Sequence, residues 1–257
     1  MTQDIPKRHE ISLSLGELSP RQKHILRLAE RQGFVTIDSL SEDFGVSAQT
    51  VRRDIIALSE AGLLQRFHGG AGPIGESEAV RLDHEHKAGV AVEEKRRIAE
   101  AAAALINDGT SLFIDVGTTM EMTAKALNTR RGLKVFTTSI RAALAFDASR
   151  HEVRVLGGRV AGRDGSLVGE EVVLALSGMQ LDLALIACSG VDVEGRVMDF
   201  SLSKITVKQA AMRAASRTFL LATPSKFGRS ALATVARVGD FTEVIDGVAP
   251  SVASQVR

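Results

Sequence analysis

The run Ser47-Ala48-Gln49-Thr50-Val51-Arg52-Arg53-Asp54-Ile55, with Leu58 after it, constrains the fold of this chain more than any other stretch. Wound as a helix, it lines up Val51, Ile55 and Leu58 at i, i+4 and i+7 on one apolar stripe and leaves Gln49, Arg52 and Arg53 on outward faces. Ser47 is a good N-cap for it. Upstream, Pro20 opens a helical run to about Arg31 with Ile25, Leu28 and Ala29 inward, and Gly33 stands where a C-terminal glycine is expected. Thr36 can cap a short helix from Ile37 to Phe44, and Gly45 supplies the tight turn into the third helix, the order of a helix-turn-helix. After Gly62, the stretch Leu63 to Phe67 followed by Gly69 and Gly70 has strand-then-turn composition, which predicts a two-stranded wing carrying Arg66.

That outward face suits a major groove. Arginine bonds guanine edges bidentately, glutamine bonds adenine edges, and Ser47 can bring the helix N-terminus to a phosphate. The expected DNA contacts are Ser47, Ala48, Gln49, Thr50, Arg52 and Arg53, with Arg66 and His68 from the wing, on double-stranded operator DNA. The competing reading is a small helical protein-interaction domain with a solvated arginine pair. Residues 1–75 hold nine Lys and Arg against nine Asp and Glu, and the whole chain carries a formal net charge of +1, so there is no global attraction to a polyanion. Affinity for DNA must come from local placement, with Arg21, Lys23, Arg27 and Arg31 on the first helix and Arg52, Arg53 and Arg66 on the recognition elements.

A length of 257 residues with 44% apolar content suits two domains with real cores. The expected division is a loose arm over 1–18, the winged helix-turn-helix over 19–72, a linker over 73–91 where Gly, Pro and charged residues show little periodicity, and a second domain over 92–257. In that second domain a helix from Val92 to Ile106 precedes short apolar strands at Ser111 to Asp115, Lys134 to Thr138, Val153 to Leu156, Leu181 to Ala187 and Thr218 to Ala222. Helical stretches at Thr119 to Leu127, Ile140 to Ala148, Gly169 to Leu176 and Ser201 to Arg217 alternate with them, so the fold class is α/β with a largely parallel sheet. Ligands of such sheets bind beyond the carboxyl ends of the strands. Gly117, Thr118 and Thr119 follow a strand and open a helix; Thr137, Thr138 and Ser139 repeat the arrangement, and Gly157 and Gly158 follow a third strand. Each turn alone reads as an ordinary cap, but together they favour an anion pocket to which Lys208 and Lys226 can add charge.

Other chemistries find little support. The single cysteine, Cys188, cannot form an internal disulfide and lies in an apolar run, as a packed core thiol does. The six histidines, including His84 and His86, lack a companion ligand set, so no metal and no cofactor is expected. No segment has the length of a membrane span and the polar start is unlike a signal peptide, which leads to an expected cytoplasmic location without membrane partners.

The order Leu40-Ser41, Phe44-Gly45-Val46-Ser47, Thr50-Val51-Arg52-Arg53-Asp54-Ile55, Leu58, Gly62-Leu63-Leu64 and His68-Gly69-Gly70-Ala71 resembles the DeoR family of bacterial transcriptional regulators. The resemblance continues through Asp115-Val116-Gly117-Thr118-Thr119, Thr137-Thr138-Ser139, Gly157-Gly158, Gly190-Val191-Asp192, Val207-Lys208 and Ser225-Lys226-Phe227-Gly228, from about Pro20 to Gly247. It implies an N-terminal winged helix-turn-helix and a C-terminal α/β effector domain resembling ribose-5-phosphate isomerase and glucosamine-6-phosphate deaminase. The implied function is repression of a carbohydrate-catabolic operon, relieved by a phosphorylated sugar, by a homo-oligomer, either dimer or tetramer. By the same resemblance Asp115, Gly117, Thr118 and Thr119 line the phosphate side of the pocket, with Asp192, Lys208 and Lys226 around the rest.

The chain departs from the family pattern at Lys204, where Glu is common, and at Thr223, where Asp is common. Both changes remove a carboxylate, which implies an unusual, a more anionic or an absent effector. The alternative activity is a sugar-phosphate isomerase or deaminase, but Ser189 stands where the isomerases carry the first Asp of an Asp-Gly-Ala-Asp motif, so a general base is missing and no catalytic residue is expected. A third reading is a DNA-binding protein without small-molecule control.

Overall fold

The computed structural model describes residues 18–32, 35–67, 70–73, 84–161 and 164–247. The chain forms two compact units that divide between Ser77 and Glu78.

In the N-terminal unit, α1 (Pro20–Gln32), α2 (Ile37–Phe44) and α3 (Ala48–Glu60) surround a small core. The caps decide where each helix starts. Thr36 Oγ1 accepts the Ser39 N–H at 3.1 Å and Ser47 Oγ accepts the Thr50 N–H at 3.2 Å, so both helices begin on a hydroxyl. The turn between them is a Schellman closure: Gly45 sits at φ 61° and donates to Glu42 O, while Val46 donates to Ser41 O at 3.1 Å. α3 ends in the same way, with Gly62 donating to Ser59 O and Leu63 to Leu58 O. The expected stripe of Val51, Ile55 and Leu58 is fully buried against Ile25, Ala29, Leu40 and Leu64. Leu18, which falls within the expected arm, belongs to this core as well; the rest of that arm, Gly33 and His68 lie outside the described residues. The wing is larger than expected. β2 (Leu64–Phe67) and β3 (Gly70–Pro73) pair antiparallel, and β1 (Val35–Thr36) adds a third strand in the order β1-β3-β2. Two residues are too few to show an alternating pattern in sequence.

The C-terminal unit begins with α4 (His84–Gly89) and α5 (Val92–Ala104). α4 lies within the stretch read as linker and was not expected; its short, charged sequence carries no apolar stripe to announce a helix. The central parallel sheet has six strands in the order β14-β12-β9-β4-β5-β6. They are β4 (Ser111–Ile114), β5 (Lys134–Thr137), β6 (Glu152–Val155), β9 (Leu181–Ala187), β12 (Ala215–Leu221) and β14 (Glu243–Ile245). Side-chain alternation feeds two cores. Leu112, Ile114, Leu183 and Leu185 face α5, α6 (Thr118–Leu127) and α7 (Ile140–Ala145), while Phe113, Ala184, Ile186 and Leu220 face α8 (Glu170–Ser177) and α9 (Leu202–Ala214). Burial on both faces is what makes these strands read as continuous apolar runs.

α9 stops at Ala214, three residues short of the expected end, because residues 215–217 join β12 beside β9. Neither β14 nor the strands outside the central sheet were expected. β7 (Arg159–Ala161) and β8 (Ser166–Val168) form a hairpin, and β10 (Gly190–Val191), β11 (Arg196–Asp199) and β13 (Ala233–Arg237) form a small antiparallel sheet. No described helix is long and apolar enough to cross a membrane.

Candidate functional site

In the N-terminal unit, the side chains opposite the buried stripe of α3 are presented to solvent. Gln49, Arg52 and Arg53 are exposed, as are Ser47 at the cap and Arg66 on β2, while Ala48 and Thr50 are partly so. α3 is held in place by its one buried charge. Asp54 faces inward and accepts from Arg21 Nε of α1 at 2.5 Å, with the carboxylate side chain 10% exposed and the guanidinium 34%. The Arg-Arg-Asp sequence thus joins two outward groups to an inward anchor. Asp54→Ala is expected to destabilise this unit by about 1–3 kcal/mol, the range for a charged hydrogen bond shielded from water. Urea unfolding checks it, and Arg21→Ala in the Asp54→Ala background should add little.

In the C-terminal unit, the order of the sheet changes direction between β4 and β9: β5 and β6 follow β4 on one side, and the chain returns to lay β9 on the other. Such a switch point opens a crevice at the carboxyl ends of the two strands. Asp115 follows β4 there, and Lys208 reaches it from α9. Both side chains are 2% exposed, and the Lys208 ammonium bonds Asp115 Oδ2 directly, donates to Ala187 O at 3.0 Å and lies 3.4 Å from Asp199 Oδ2. Asp115 also accepts the Ala187 N–H at 3.0 Å, and Asp199 accepts from Ser189 Oγ at 2.9 Å and the Phe200 N–H at 2.7 Å. Burial works against the Lys208 cation, but Asp115 and Asp199 outweigh it and raise its pKa. Burial likewise opposes the Asp199 carboxylate, and the Lys208 charge overcomes that to lower its pKa.

Around this ion cluster, Asp115, Val116, Thr138, Ser166, Leu167, Val168, Lys204 and Val207 line a closed crevice too tight to admit a water molecule. Lys204 binds Asp164 Oδ2 at 2.5 Å, so a carboxylate does stand beside the position where the sequence had lost one. Asp164 came from a hairpin that the sequence did not announce. Next to Asp115, Gly117 caps α6 at φ 122°, and with no side chain to accept there, the start of α6 has no side-chain cap. Thr118 and Thr119 flank them, both half-buried. α8 differs, because the Glu171 carboxylate fills the space beside its own cap, Gly169.

The other expected ligand residues divide. Thr138 lines the crevice, but Ser139 caps α7 through the Ala142 N–H at 3.1 Å, and Thr137 ties β5 to Ile114 O at 2.8 Å. A Cβ on Gly158 would stand 2.8 Å from Val168 O, so close packing against β8 accounts for that glycine, while the neighbourhood of Gly157 is open. Asp192 does not join the cluster. Its carboxylate accepts the N–H groups of Glu194 and Arg196 and pairs with Arg196 Nε at 2.6 Å, closing its own hairpin. Lys226 lies in a short 3-10 turn, Pro224–Lys226, near enough to act electrostatically on Cys188. Burial pushes the Cys188 thiol up to about 12, so it is protonated and inert at neutral pH. The described residues hold no group of three or more metal-ligating side chains.

Sugar isomerisation needs a base poised near neutrality. Asp115 and Asp199 are paired with Lys208 and Asp164 with Lys204, and Asp164 and Asp199 are both held below the usual carboxylate range. Ser189 offers a hydroxyl where a further carboxylate would be required.

Two family models match the chain: one described as DeoR-like helix-turn-helix domain over residues 21–76, the other as DeoR C terminal sensor domain over residues 90–247. The glycerol-3-phosphate regulon repressor of Escherichia coli (strain K12) is 34% identical over 234 residues, covering 90% of this chain and 92% of the relative. The HTH-type transcriptional repressor CsqR of the same organism is 34% identical over 248 residues, covering 95% and 94%. Among solved structures, ribose 5-phosphate isomerase A from Methanocaldococcus jannaschii matches with a TM-score of 0.40 and 16% identity over 53% of this chain and 54% of that one.

Proposed function

We propose that this chain, which belongs to the DeoR family of DNA-binding transcriptional regulators, represses a carbohydrate-catabolic operon until a phosphorylated sugar occupies its C-terminal domain. It is a regulator and not an enzyme. The observation that carries the effector reading is the glycine-capped start of α6 beside the buried Lys208 cluster, at the switch point of the sheet. A phosphate placed there would accept from the first N–H groups of α6 and the hydroxyls of Thr118 and Thr119. Asp115, Thr138, Lys204, Lys208 and Lys226 would surround the remainder of the ligand.

The repressor acts in the cytoplasm as a homo-oligomer, because paired recognition helices match paired half-sites. Ser47, Ala48, Gln49, Thr50, Arg52, Arg53 and Arg66 form the DNA face, with His68 beside it. Release of DNA requires that the effector bind the released state more tightly than the DNA-bound state, since occupancy alone shifts nothing. The name of the E. coli relative, a glycerol-3-phosphate regulon repressor, makes small phosphate monoesters the first compounds to try.

The test is thermal. One phosphate monoester from a panel of glycerol, fructose and glucosamine phosphates should raise the melting temperature of the full chain, as a ligand specific to the native state must. Thr118→Val should blunt that rise while leaving DNA affinity intact. A panel without effect would sink the effector reading.

A further inference from the structure

The central sheet ends at β6, which pairs with β5 on one side and, among the described residues, with no strand on the other. The register shows which backbone groups that edge leaves open. Glu152 N–H donates to Leu133 O at 2.9 Å and Leu156 N–H to Thr137 O at 2.8 Å, so the even-numbered residues of β6 turn their amides toward β5. Peptide groups alternate in direction along a strand, so those of Val153 and Val155 point outward. Such an edge is a template for another chain unless proline or an uncompensated charge guards it. β6 has no proline, and its two charges, Glu152 and Arg154, are of opposite sign on one face of the strand, with side chains 50% and 66% exposed.

That spacing complements itself. When two copies pair antiparallel, residues with outward peptide groups must face each other, so a two-fold axis can fall on any one residue of the strand. Centred on Glu152 it opposes two carboxylates, centred on Arg154 two guanidinium groups, and centred on Val155 it sets Arg154 against Leu156. Centred on Val153, it sets Glu152 of each copy opposite Arg154 of the other, in the non-hydrogen-bonded position where side chains come closest. Val153 then exchanges two backbone hydrogen bonds with Val153 of the second copy. Apolar surface lies beside this axis. Val155 is 45% exposed, and α7, which packs against β6 on the face that Val153 helps to cover, presents Leu144 at 82% exposure. The edge strand at the other end of the sheet, β14, has the sequence Glu-Val-Ile and offers no pair of unlike charges.

We infer that β6 is the surface through which two copies of this chain assemble, antiparallel about a two-fold axis at Val153, so that their six-stranded sheets continue as one. The occupant is a second copy because each side of the interface is the same patch, which is what a two-fold contact requires. The inference rests on the homo-oligomeric reading above.

Sedimentation of the full chain over a range of concentrations, with hydrogen exchange beside it, separates the two ideas. Arg154→Glu should weaken dimerisation roughly tenfold to a hundredfold, because the two-fold axis brings two like-charge pairs into the interface. Adding Glu152→Arg to Arg154→Glu restores unlike pairs and should recover the association. The amides of Val153 and Val155 should be protected in the associated wild type and exchange freely in dilute Arg154→Glu. Assembly unchanged in Arg154→Glu, or lost there and not recovered by the double reversal, would overturn the β6 interface and leave the homo-oligomer standing. A wild-type chain that sediments as a monomer at every concentration would overturn both.

Discussion

Lys208→Met is expected to destabilise the C-terminal domain by about 3–5 kcal/mol, the range for removing one partner of a buried ion pair. The reason is the geometry of the cluster. Lys208 and Asp115 are each 2% exposed and Asp199 is 14% exposed, so without the ammonium two carboxylates share a site that water barely reaches. A domain of this size should lose roughly 10 °C of Tm for such a change. The deficit should shrink in acid. Asp199 has a lowered pKa in the native state, so the stability it contributes is present above the ordinary carboxylate range and disappears as the pH falls through its native value. Lys208 has a raised pKa, and its contribution is present below the ordinary lysine range and disappears as the pH climbs through the native value. Urea midpoints of wild type and Lys208→Met should converge on acidification. Adding Asp115→Asn to Lys208→Met should recover part of the loss at neutral pH, and a variant as stable as wild type at pH 7 would contradict the electrostatic reading.

The second large effect is on DNA. Arg52→Ala and Arg53→Ala should leave folding untouched, since both side chains are exposed on the face of α3 opposite Val51, Ile55 and Leu58. A guanidinium that reads a base edge is worth about 1–3 kcal/mol, so each replacement should weaken specific binding roughly tenfold to a hundredfold and relax the preference at one position of the operator. A guanidinium that instead meets a phosphate would weaken binding to all sequences alike and reduce the salt slope by about one. Affinity measured against salt and against singly substituted operators assigns each arginine to one role. Unchanged affinity in both variants would remove α3 from the interface.

What could be read from sequence follows from where the physics is local. Caps are local, so Thr36, Ser47 and Gly45 announced α2, α3 and the turn between them, and the structure places all three in those roles. Strands buried on both faces announce themselves as apolar runs, which made β4, β5, β9 and most of β12 legible. β1, β7 and β10 were not, being two or three residues long and defined by their partners. α4 was hidden because its six residues are too few and too polar to show a helical period.

The candidate site was half legible. Asp115, Gly117, Thr118, Thr119 and Lys208 could be named from motifs, but nothing local says that Lys208 bonds a carboxylate 93 residues away or that Asp199 closes the cluster. Lys204 looked like a lost carboxylate until the β7–β8 hairpin brought Asp164 to it across 40 residues. Asp192 was drawn in by its motif, yet its contacts lie within four residues of itself.

The most direct test is a titration of the full-length chain, at fixed salt, onto labelled DNA from upstream of its own gene, followed by addition of a panel of phosphate monoesters. The account predicts tight sequence-specific binding that one compound reverses, with the same compound failing to reverse it in Thr118→Val. Specific binding that no compound disturbs would contradict control by an anionic effector, and the absence of specific binding would contradict the repressor itself.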